Sequence, residues 1–328
     1  MPEQTTPIGF AVVGYGRIGK RHAALIGAHP EARLCAIVDV SEVDAPPGVP
    51  CFPSLEALLA SPGAAAIDVV SIATPNGLHA IQACVCLEAG KHVMVEKPVA
   101  LRSADIWAML ELAGRRGLRV FPVLQNRFAP GALWLKELVA SGRLGAPYLV
   151  QVDCFWNRDQ RYYQPGGWHG TADQDGGVLF TQFSHFVDLL YWLFGTPADI
   201  RSELVQGRHW RGDALADTGV VQFRWPGGAL GCLNFSTAVW DKNMGSAITI
   251  IAENGSVKVG GQYLDSLDYY HVRGEAGTPW TTGPQQPDAA HRLMLASVVD
   301  ALLGRGQPSI EAADAAEVIA LIERMYKQ

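Results

Sequence analysis

The sequence predicts an α/β protein whose first domain has a doubly wound parallel sheet and whose second, α+β domain has an open, mostly antiparallel sheet. Two observations predict this fold class. Apolar segments alternate with helical segments over the first 124 residues, and short alternating apolar segments dominate after residue 125. A chain of 328 residues also has the length expected of two domains. We therefore predict domains at residues 1–124 and 125–328.

A glycine-rich turn opens the first domain. An apolar run at residues 8–13, typical of a buried strand, leads into the sequence GYGRIG at 14–19. Gly14 permits a tight turn, Gly16 leaves the backbone open to a pyrophosphate, and Gly19 lets the next helix pack closely. That helix offers N–H groups and its dipole to phosphates. The pattern is typical of a Rossmann dinucleotide-binding domain. We predict that Arg17 and Ile18 also contact the cofactor.

An acidic residue ends the second apolar run. Asp39 follows residues 33–38, where a carboxylate can accept hydrogen bonds from the adenosine ribose. The carboxylate would repel the 2′-phosphate of NADP, and residues 40–43 supply no positive charge. We therefore predict NAD as the cofactor. The alternative is an α/β domain that keeps the turn without the ligand.

The remaining elements of the first domain follow in order. Residues 42–53 contain four prolines, which argues against the helix usual at this crossover. Helices are predicted at 55–59, 78–88 and 103–116, and strands at 68–73, 92–95 and 118–124. The carboxyl ends of parallel strands meet at one rim, where ligands bind. The predicted cofactor contacts at this rim are Thr74, Pro75, Asn76, His79, Glu96, Lys97 and Gln125.

The second domain is predicted from period-two alternation. Strands are expected at 148–156, 200–206, 219–225, 231–238, 247–252 and 256–259. A loop is expected at 139–145, a helix on one sheet face at 183–193, and closing helices at 291–303 and 312–325. An open sheet face would stay exposed in a monomer, so we expect a homodimer or homotetramer.

Bulk composition excludes several classes of protein. The net charge is −6 with no basic block, which argues against nucleic acid. No apolar run is long enough to span a membrane, and residues 1–7 do not have the pattern of a signal peptide. The six cysteines form no Cys-x-x-Cys pair, so we expect them to be reduced and mostly buried in a cytoplasmic protein. A small-molecule substrate is the remaining partner.

These motifs resemble a known family. Thr74-Pro75-Asn76, Glu96-Lys97-Pro98 and the downstream Gly176-Gly177 with His185 resemble the glucose-fructose oxidoreductase, inositol dehydrogenase and rhizopine-catabolism (Gfo/Idh/MocA) family. The resemblance implies NAD(P)-dependent oxidation of a sugar or polyol hydroxyl. Further motifs are similar to those of UDP-N-acetylglucosaminuronate 3-dehydrogenases, which serve surface polysaccharide synthesis: Gln125-Asn126-Arg127, Phe155-Trp156-Asn157-Arg158 and Asp217-Thr218-Gly219.

Two positions depart from the family pattern. Thr181 stands where many members have an aspartate, and His169 stands where the subgroup tends to have arginine. The first departure leaves the proton-transfer roles open, and the second leaves the sugar open. Metal is not expected, because hydride transfer to NAD needs no Lewis acid.

Oxidation of an alcohol needs a base for the hydroxyl proton and a group that binds the oxygen. We assign these catalytic roles to His185 and Lys97, respectively, and the reverse assignment stays open. Arginine matches carboxylate and phosphate oxygens, so Arg127 and Arg158 are predicted substrate contacts, with Arg161 as a weaker candidate beside Asp159. The other predicted substrate contacts are Tyr163, Thr181, Gln182, Lys97 and His185.

Several of these assignments have plain alternatives. Thr181 could instead cap a helix, and the arginines could belong to a solvated turn. Asp188 could orient His185, three positions before it, or serve only the structure. At the level of the whole protein, the alternatives are a dehydrogenase of a free sugar or polyol and a catalytically silent NAD-binding regulator. The presence of both Lys97 and His185 argues against the regulator.

Overall fold

The computed structural model describes residues 6–206, 215–275 and 288–327. The chain divides into two compact units, one formed by residues up to 124 with 291–316, and the other by 125–290 with the residues from 317 onward. The predicted second domain, 125–328, therefore needs one correction, because 291–316 packs with the first unit. Arg119 bonds there to the carbonyl of Ala301, and Arg305 pairs with Glu31.

The first unit is built on six parallel strands: β1 (Ile8–Val13), β2 (Ala32–Val38), β3 (Cys51–Phe52), β4 (Val69–Ile72), β5 (His92–Glu96) and β6 (Val120–Val123). Their order is β3-β2-β1-β4-β5-β6, and all neighbours are parallel. The strands are almost continuously buried, as in a sheet covered on both faces. The proline-rich crossover leads to β3 without a helix, as predicted.

Helices connect these strands: α1 (Arg17–Ala28), α2 (Leu55–Leu59), α3 (His79–Glu88) and α4 (Ser103–Arg116). Local sequence sets their ends. The Ser54 hydroxyl accepts a hydrogen bond from the N–H of Ala57 and so caps α2. Gly117 ends α4 with a φ of 66°, in the left-handed region that glycine adopts at little cost. Because these helices follow parallel strands, the carboxyl ends of the strands and the starts of the helices lie at one rim of the sheet.

The second unit is built on a seven-stranded sheet. Its strands are β7 (Pro147–Phe155), β8 (Asp199–Val205), β9 (Thr218–Arg224), β10 (Leu230–Ser236), β11 (Gly245–Ala252), β12 (Gly255–Gly260) and β13 (Ser266–Val272). The order is β13-β12-β11-β7-β10-β9-β8, with β7 and β10 as its one parallel pair. The mostly antiparallel prediction is confirmed. The prediction missed β13. Inward-facing and outward-facing residues do not alternate clearly in this strand, since its four half-buried or buried residues occur on both faces.

The later helices are α5 (Pro130–Ala140), α6 (Val178–Thr181), α7 (Ser184–Phe194), α8 (Ala289–Leu302) and α9 (Ala312–Tyr326). The predicted loop at 139–145 starts only at Ser141, because α5 continues through Ala140. None of the helices in the described part of the chain is both long and apolar enough to cross a membrane. All six cysteines are described and unpaired, but only Cys86 and Cys154 are buried, so the expectation of mostly buried thiols is wrong.

Candidate active site

The glycine turn has the geometry that a dinucleotide needs. Gly14 has a φ of 85°, and its N–H donates to the carbonyl of Val38. A Cβ on Gly19 would lie 1.8 Å from the carbonyl oxygen of Gly14, so only glycine fits there. A Cβ on Gly16 would meet no protein atom within 4 Å, and no side chain caps the start of α1 at this residue. The turn therefore leaves an open backbone face next to a helix N-terminus, which fits a pyrophosphate.

Asp39 is held at the end of β2. Its Oδ2 accepts a hydrogen bond of 2.7 Å from the N–H of Tyr15, inside the glycine turn. Its Oδ1 accepts a bond of 2.9 Å from the N–H of Ser41. The carboxylate is thus fixed beside the turn, the place at which an adenosine ribose is bound in a Rossmann domain.

His79 joins two loops of the rim. Its Nδ1 lies 2.7 Å from the carbonyl oxygen of Pro98, and its Nε2 lies 2.8 Å from that of Thr74. Burial lowers the pKa of His79, although both carbonyls favour its protonated form. With both nitrogens facing carbonyl groups, His79 supports the loops after β4 and β5, and we no longer assign it a direct contact with the cofactor. Pro75 and Asn76 lie between Thr74 and His79 in the sequence, in the loop after β4.

Lys97 directly follows β5 and is half-buried. Its backbone N–H donates a hydrogen bond of 3.1 Å to Oε2 of Glu96. Glu96 is buried, and its Oε1 lies 3.1 Å from Nε2 of His22. The structure thus gives Glu96, predicted to contact the cofactor, two protein partners instead. Lys97 itself thus stands at the end of β5, at the rim where the strand ends meet.

In the second unit, Arg127 forms a buried ion pair with Asp188. The Arg127 Nη2 donates a bond of 2.6 Å to Asp188 Oδ1, and its Nε lies 3.0 and 3.1 Å from the two carboxylate oxygens. The two side chains are 4% and 1% exposed. This bidentate geometry explains why we withdraw Arg127 as a substrate contact. It also gives Asp188 the structural role that was the alternative to orienting His185.

His185 is the second residue of α7 and lies next to Gln125. The two side chains approach through their Nε2 atoms at 3.4 Å, and His185 is 8% exposed. Gln125 comes from a short 3-10 helix, Gln125–Phe128. An amide beside an imidazole can fix the ring and stabilise one protonation state, which suits a group that moves protons.

Arg158 is the centre of a polar and aromatic cluster. Its Nε donates a bond of 2.8 Å to Oε1 of Gln182, whose Nε2 donates a bond of 2.6 Å to the hydroxyl of Tyr162. The guanidinium carbon lies 5.1 Å from the ring centre of Trp156 and 5.3 Å from that of Tyr162. Burial raises the pKa of Tyr162, and that of the neighbouring Tyr163, so both hydroxyls stay protonated.

The three predicted arginines therefore differ in their partners. Arg127 faces Asp188, and the exposed Arg161 bonds to Asp159 within the solvated turn that was its alternative. The bonds described for Arg158 go to amide and carbonyl oxygens, including the carbonyl of Asn157 at 2.6 Å. These hydrogen bonds fix the orientation of the guanidinium.

Asp175 organises the segment before α6, a role that the sequence analysis did not assign to it. Its carboxylate accepts bonds from the N–H groups of Gly170 and Gly177 at 3.0 Å and from the hydroxyl of Thr181 at 2.5 Å. The cap residues of α6 and α7 are Gly177 and Phe183, so the helix-cap alternative for Thr181 is wrong. The signal was an aspartate directly before two glycines, where backbone N–H groups converge on one acceptor.

The glycine turn, the fixed carboxylate and the lysine at a strand end define a nicotinamide-dependent oxidoreductase. Residues 8–123 match the family model for the oxidoreductase family with an NAD-binding Rossmann fold, and residues 133–258 match the GFO/IDH/MocA C-terminal domain. The chain belongs to the Gfo/Idh/MocA family of oxidoreductases, and NAD is its cofactor.

Solved and curated relatives agree with this family. The WlbA dehydrogenase from Bordetella pertussis, in complex with NADH and UDP-GlcNAcA, is 33% identical with a TM-score of 0.87, covering 98% of this chain and 96% of that one. Inositol 2-dehydrogenase from Rubrobacter xylanophilus is 28% identical over 77% of this chain and 71% of its own length. An uncharacterized oxidoreductase of Synechocystis, sll0816, is 30% identical over 67% of this chain, and the match spans only 60% of that relative.

Proposed function

We propose that this protein is an NAD-dependent dehydrogenase that oxidises the C3 hydroxyl of UDP-N-acetylglucosaminuronate to a ketone. The observation that carries the proposal is the likeness, over nearly the full length of both chains, to a dehydrogenase in complex with NADH and UDP-GlcNAcA. The cluster around Arg158 supports it, because a uronate carboxylate and a diphosphate both need a fixed cation.

The reaction needs two proton-handling groups besides the cofactor. Bound NAD supplies the acceptor for a hydride from the sugar carbon. In the proposal, His185 removes the hydroxyl proton, and Gln125 holds its ring at 3.4 Å. Lys97 donates a hydrogen bond to the same oxygen and stabilises the charge that develops there. In the reverse assignment, Lys97 is the base. It would give the opposite order of effects on turnover when Lys97 and His185 are each replaced and the variants are compared at low and high pH.

Arg158 is proposed to bind the carboxylate of the substrate, with Gln182 and Tyr163 beside it. Gln182 fixes the guanidinium at 2.8 Å, so replacing Arg158 removes a preorganised cation and not a mobile surface charge. Thr181 is kept as a proposed substrate contact although its hydroxyl donates to Asp175. A hydroxyl can still accept a bond from a sugar while it donates to a carboxylate.

The test compares UDP-GlcNAcA with UDP-GlcNAc, which lacks the carboxylate. Arg158→Gln should weaken binding of UDP-GlcNAcA by about 10- to 100-fold, the value of a charge-assisted hydrogen bond, and leave UDP-GlcNAc binding unchanged. Arg161→Gln, on the same turn but paired with Asp159, is the control and should change neither. Titration calorimetry measures the binding of each sugar, and NADH formation measures its turnover. Equal binding of the two sugars by the wild type would contradict the proposal.

Oxidation of a free polyol is the second candidate, favoured by the similarity to inositol 2-dehydrogenase. Turnover of myo-inositol but not of UDP-GlcNAcA would establish it and would leave Arg158→Gln without effect. A protein that retains NAD but turns over neither substrate would instead fit a silent regulator.

The outer face of the seven-stranded sheet supports assembly with a second copy. Leu230 and Ile251 are both paired with Leu149 across β7, which puts all three on one face, and the first two are 46% and 41% exposed. A contiguous apolar row is typical of an interface. We propose a homodimer or homotetramer in the cytoplasm. Light scattering coupled to gel filtration tests it, and a monomer at micromolar concentration would contradict it.

A further inference from the structure

Three titratable side chains lie together inside the first unit and have no role in the chemistry above. His22 comes from α1, Glu96 ends β5, and His291 comes from α8. All three are buried, and their nitrogen and oxygen atoms lie within 4.8 Å of one another. The rings of His22 and His291 have centres 6.2 Å apart. Burying charged groups costs free energy, so this His–Glu–His cluster needs a compensating role.

Glu96 connects the His–Glu–His cluster to Lys97. One carboxylate oxygen lies 3.1 Å from Nε2 of His22, and the other accepts a 3.1 Å hydrogen bond from the backbone N–H of Lys97. On the other side of its ring, Nδ1 of His22 lies 2.8 Å from the hydroxyl oxygen of Ser71 on β4. The backbone of Lys97 is therefore tied, through Glu96 and His22, to both α1 and β4.

Glu96 carries a negative charge over the pH range in which a dehydrogenase works. Burial alone would raise its pKa, but the hydrogen bond and charge of His22, together with His291 and Lys97, lower it to about 2. The charges of Glu96 and Lys97 also act on His79 of α3: Glu96 raises the pKa of His79, and Lys97 lowers it. The charge of Lys97 is one of the causes that lower the pKa of Glu96, so the carboxylate and the amine attract each other.

We propose that His22, Glu96 and His291 are positioning residues for Lys97, holding its backbone and keeping a negative charge on the residue directly before it. The proposal rests on the proposed function, in which Lys97 binds the sugar oxygen. It also gives a reason for the packing of α8 with the first unit, because His291 of that helix lies in the cluster with Glu96.

A metal ion is the main competing explanation, because two histidines and a glutamate are a common zinc-binding set. Glu96 accepts a hydrogen bond from the N–H of Lys97 at one oxygen, and its other oxygen lies 3.1 Å from Nε2 of His22, within the distance of an ion pair. Metal analysis of the purified protein tests this explanation directly.

Two cluster variants and one control test the proposal by kinetics. Glu96→Gln and His22→Asn should bind NADH as the wild type does but lose about 10- to 100-fold in kcat, because a small misplacement of a reacting group has effects of this size. In Glu96→Gln, the limb of the pH profile set by Lys97 should also move to lower pH, since the charge that favours the protonated amine is gone. His29→Asn, at the C-terminal cap of α1, should change neither.

A second measurement needs no substrate. At constant pH, an amine-reactive reagent should label Lys97 faster in Glu96→Gln than in the wild type, as measured by peptide mass spectrometry. A wild type that turns over no UDP-sugar but shows this difference would refute the proposed function and retain the positioning role. Three results overturn that role: unchanged labelling and kcat, a loss of NADH binding in parallel with kcat, or stoichiometric metal in the purified protein.

Discussion

Each unit of the molecule buries one carboxylate close in sequence to a proposed catalytic group, and the two carboxylates act differently. In the first unit, Glu96 precedes Lys97 and bonds to its backbone N–H as well as lying against His22. In the second, Asp188 follows His185 by three positions on α7, but its oxygens bond to Arg127. One carboxylate therefore supports the reacting residue directly, and the other stabilises the framework that carries it.

The difference shows that the partner of a buried carboxylate is decided by charge and geometry and not by sequence distance. Arg127 is always charged and offers two parallel N–H donors, whereas an imidazole offers one donor and is often neutral. Asp188 therefore pairs with the guanidinium even though His185 is on the same helical face. Breaking each pair separately tests how far the two roles differ.

The largest effect on stability is expected from breaking the pair of Asp188 with Arg127. Asp188→Asn leaves the Arg127 charge buried and uncompensated, which should lower the free energy of unfolding by about 3–5 kcal/mol. Urea denaturation measures this loss, and the double variant Arg127→Met/Asp188→Leu should recover most of it. If Asp188 mainly oriented His185, Asp188→Asn would instead reduce kcat at unchanged stability.

An exposed pair provides the control for that experiment. Arg115 and Glu111 form an ion pair one helical turn apart on α4, with side chains 61% and 73% exposed. Glu111→Gln should change stability by only a small fraction of the Asp188→Asn effect, because water screens the exposed pair. Equal effects from the two variants would show that burial does not set the value of the Arg127 pair.

The fold and the cofactor end of the site could be predicted because local sequence determines them. The glycine spacing, Asp39 and the strand ends depend on turns and periodicity within about 30 residues, the length of a βαβ unit. The partners of Glu96 and Asp188 could not be predicted in this way. His22 is 74 positions before Glu96, and Arg127 is 61 positions before Asp188, so only the folded chain brings them together.

The pH dependence of stability should reveal the negative charge of Glu96 in its pair with His22. The pKa of Glu96 falls from an ordinary 4.5 to about 2 on folding, so it stabilises the folded state above about pH 4.5 and loses this effect as the pH falls toward 2. Glu96→Gln should therefore lower stability by about 3 kcal/mol near neutral pH, and its difference from the wild type should shrink in acid.

Chemical denaturation at several pH values between neutrality and pH 3 measures this convergence. The exposed Glu88→Gln on α3 serves as the control and should follow the wild type throughout. A difference between Glu96→Gln and the wild type that stays constant with pH would show that folding does not shift the pKa of Glu96, which would contradict a carboxylate stabilised by its pair with His22.

The smallest effect concerns the part of the first unit that local sequence determines. Gly16→Ala adds a methyl group that meets no protein atom within 4 Å, so stability should not change, but the open backbone face becomes narrower for the pyrophosphate. NADH binding, followed by fluorescence, should weaken about 10-fold, or about 1.4 kcal/mol. Gly19→Ala is the matched variant: its Cβ would lie 1.8 Å from Gly14 O, so it should destabilise the unit itself. If Gly16→Ala lowered stability and left NADH affinity intact, the turn would be serving the fold and not the cofactor.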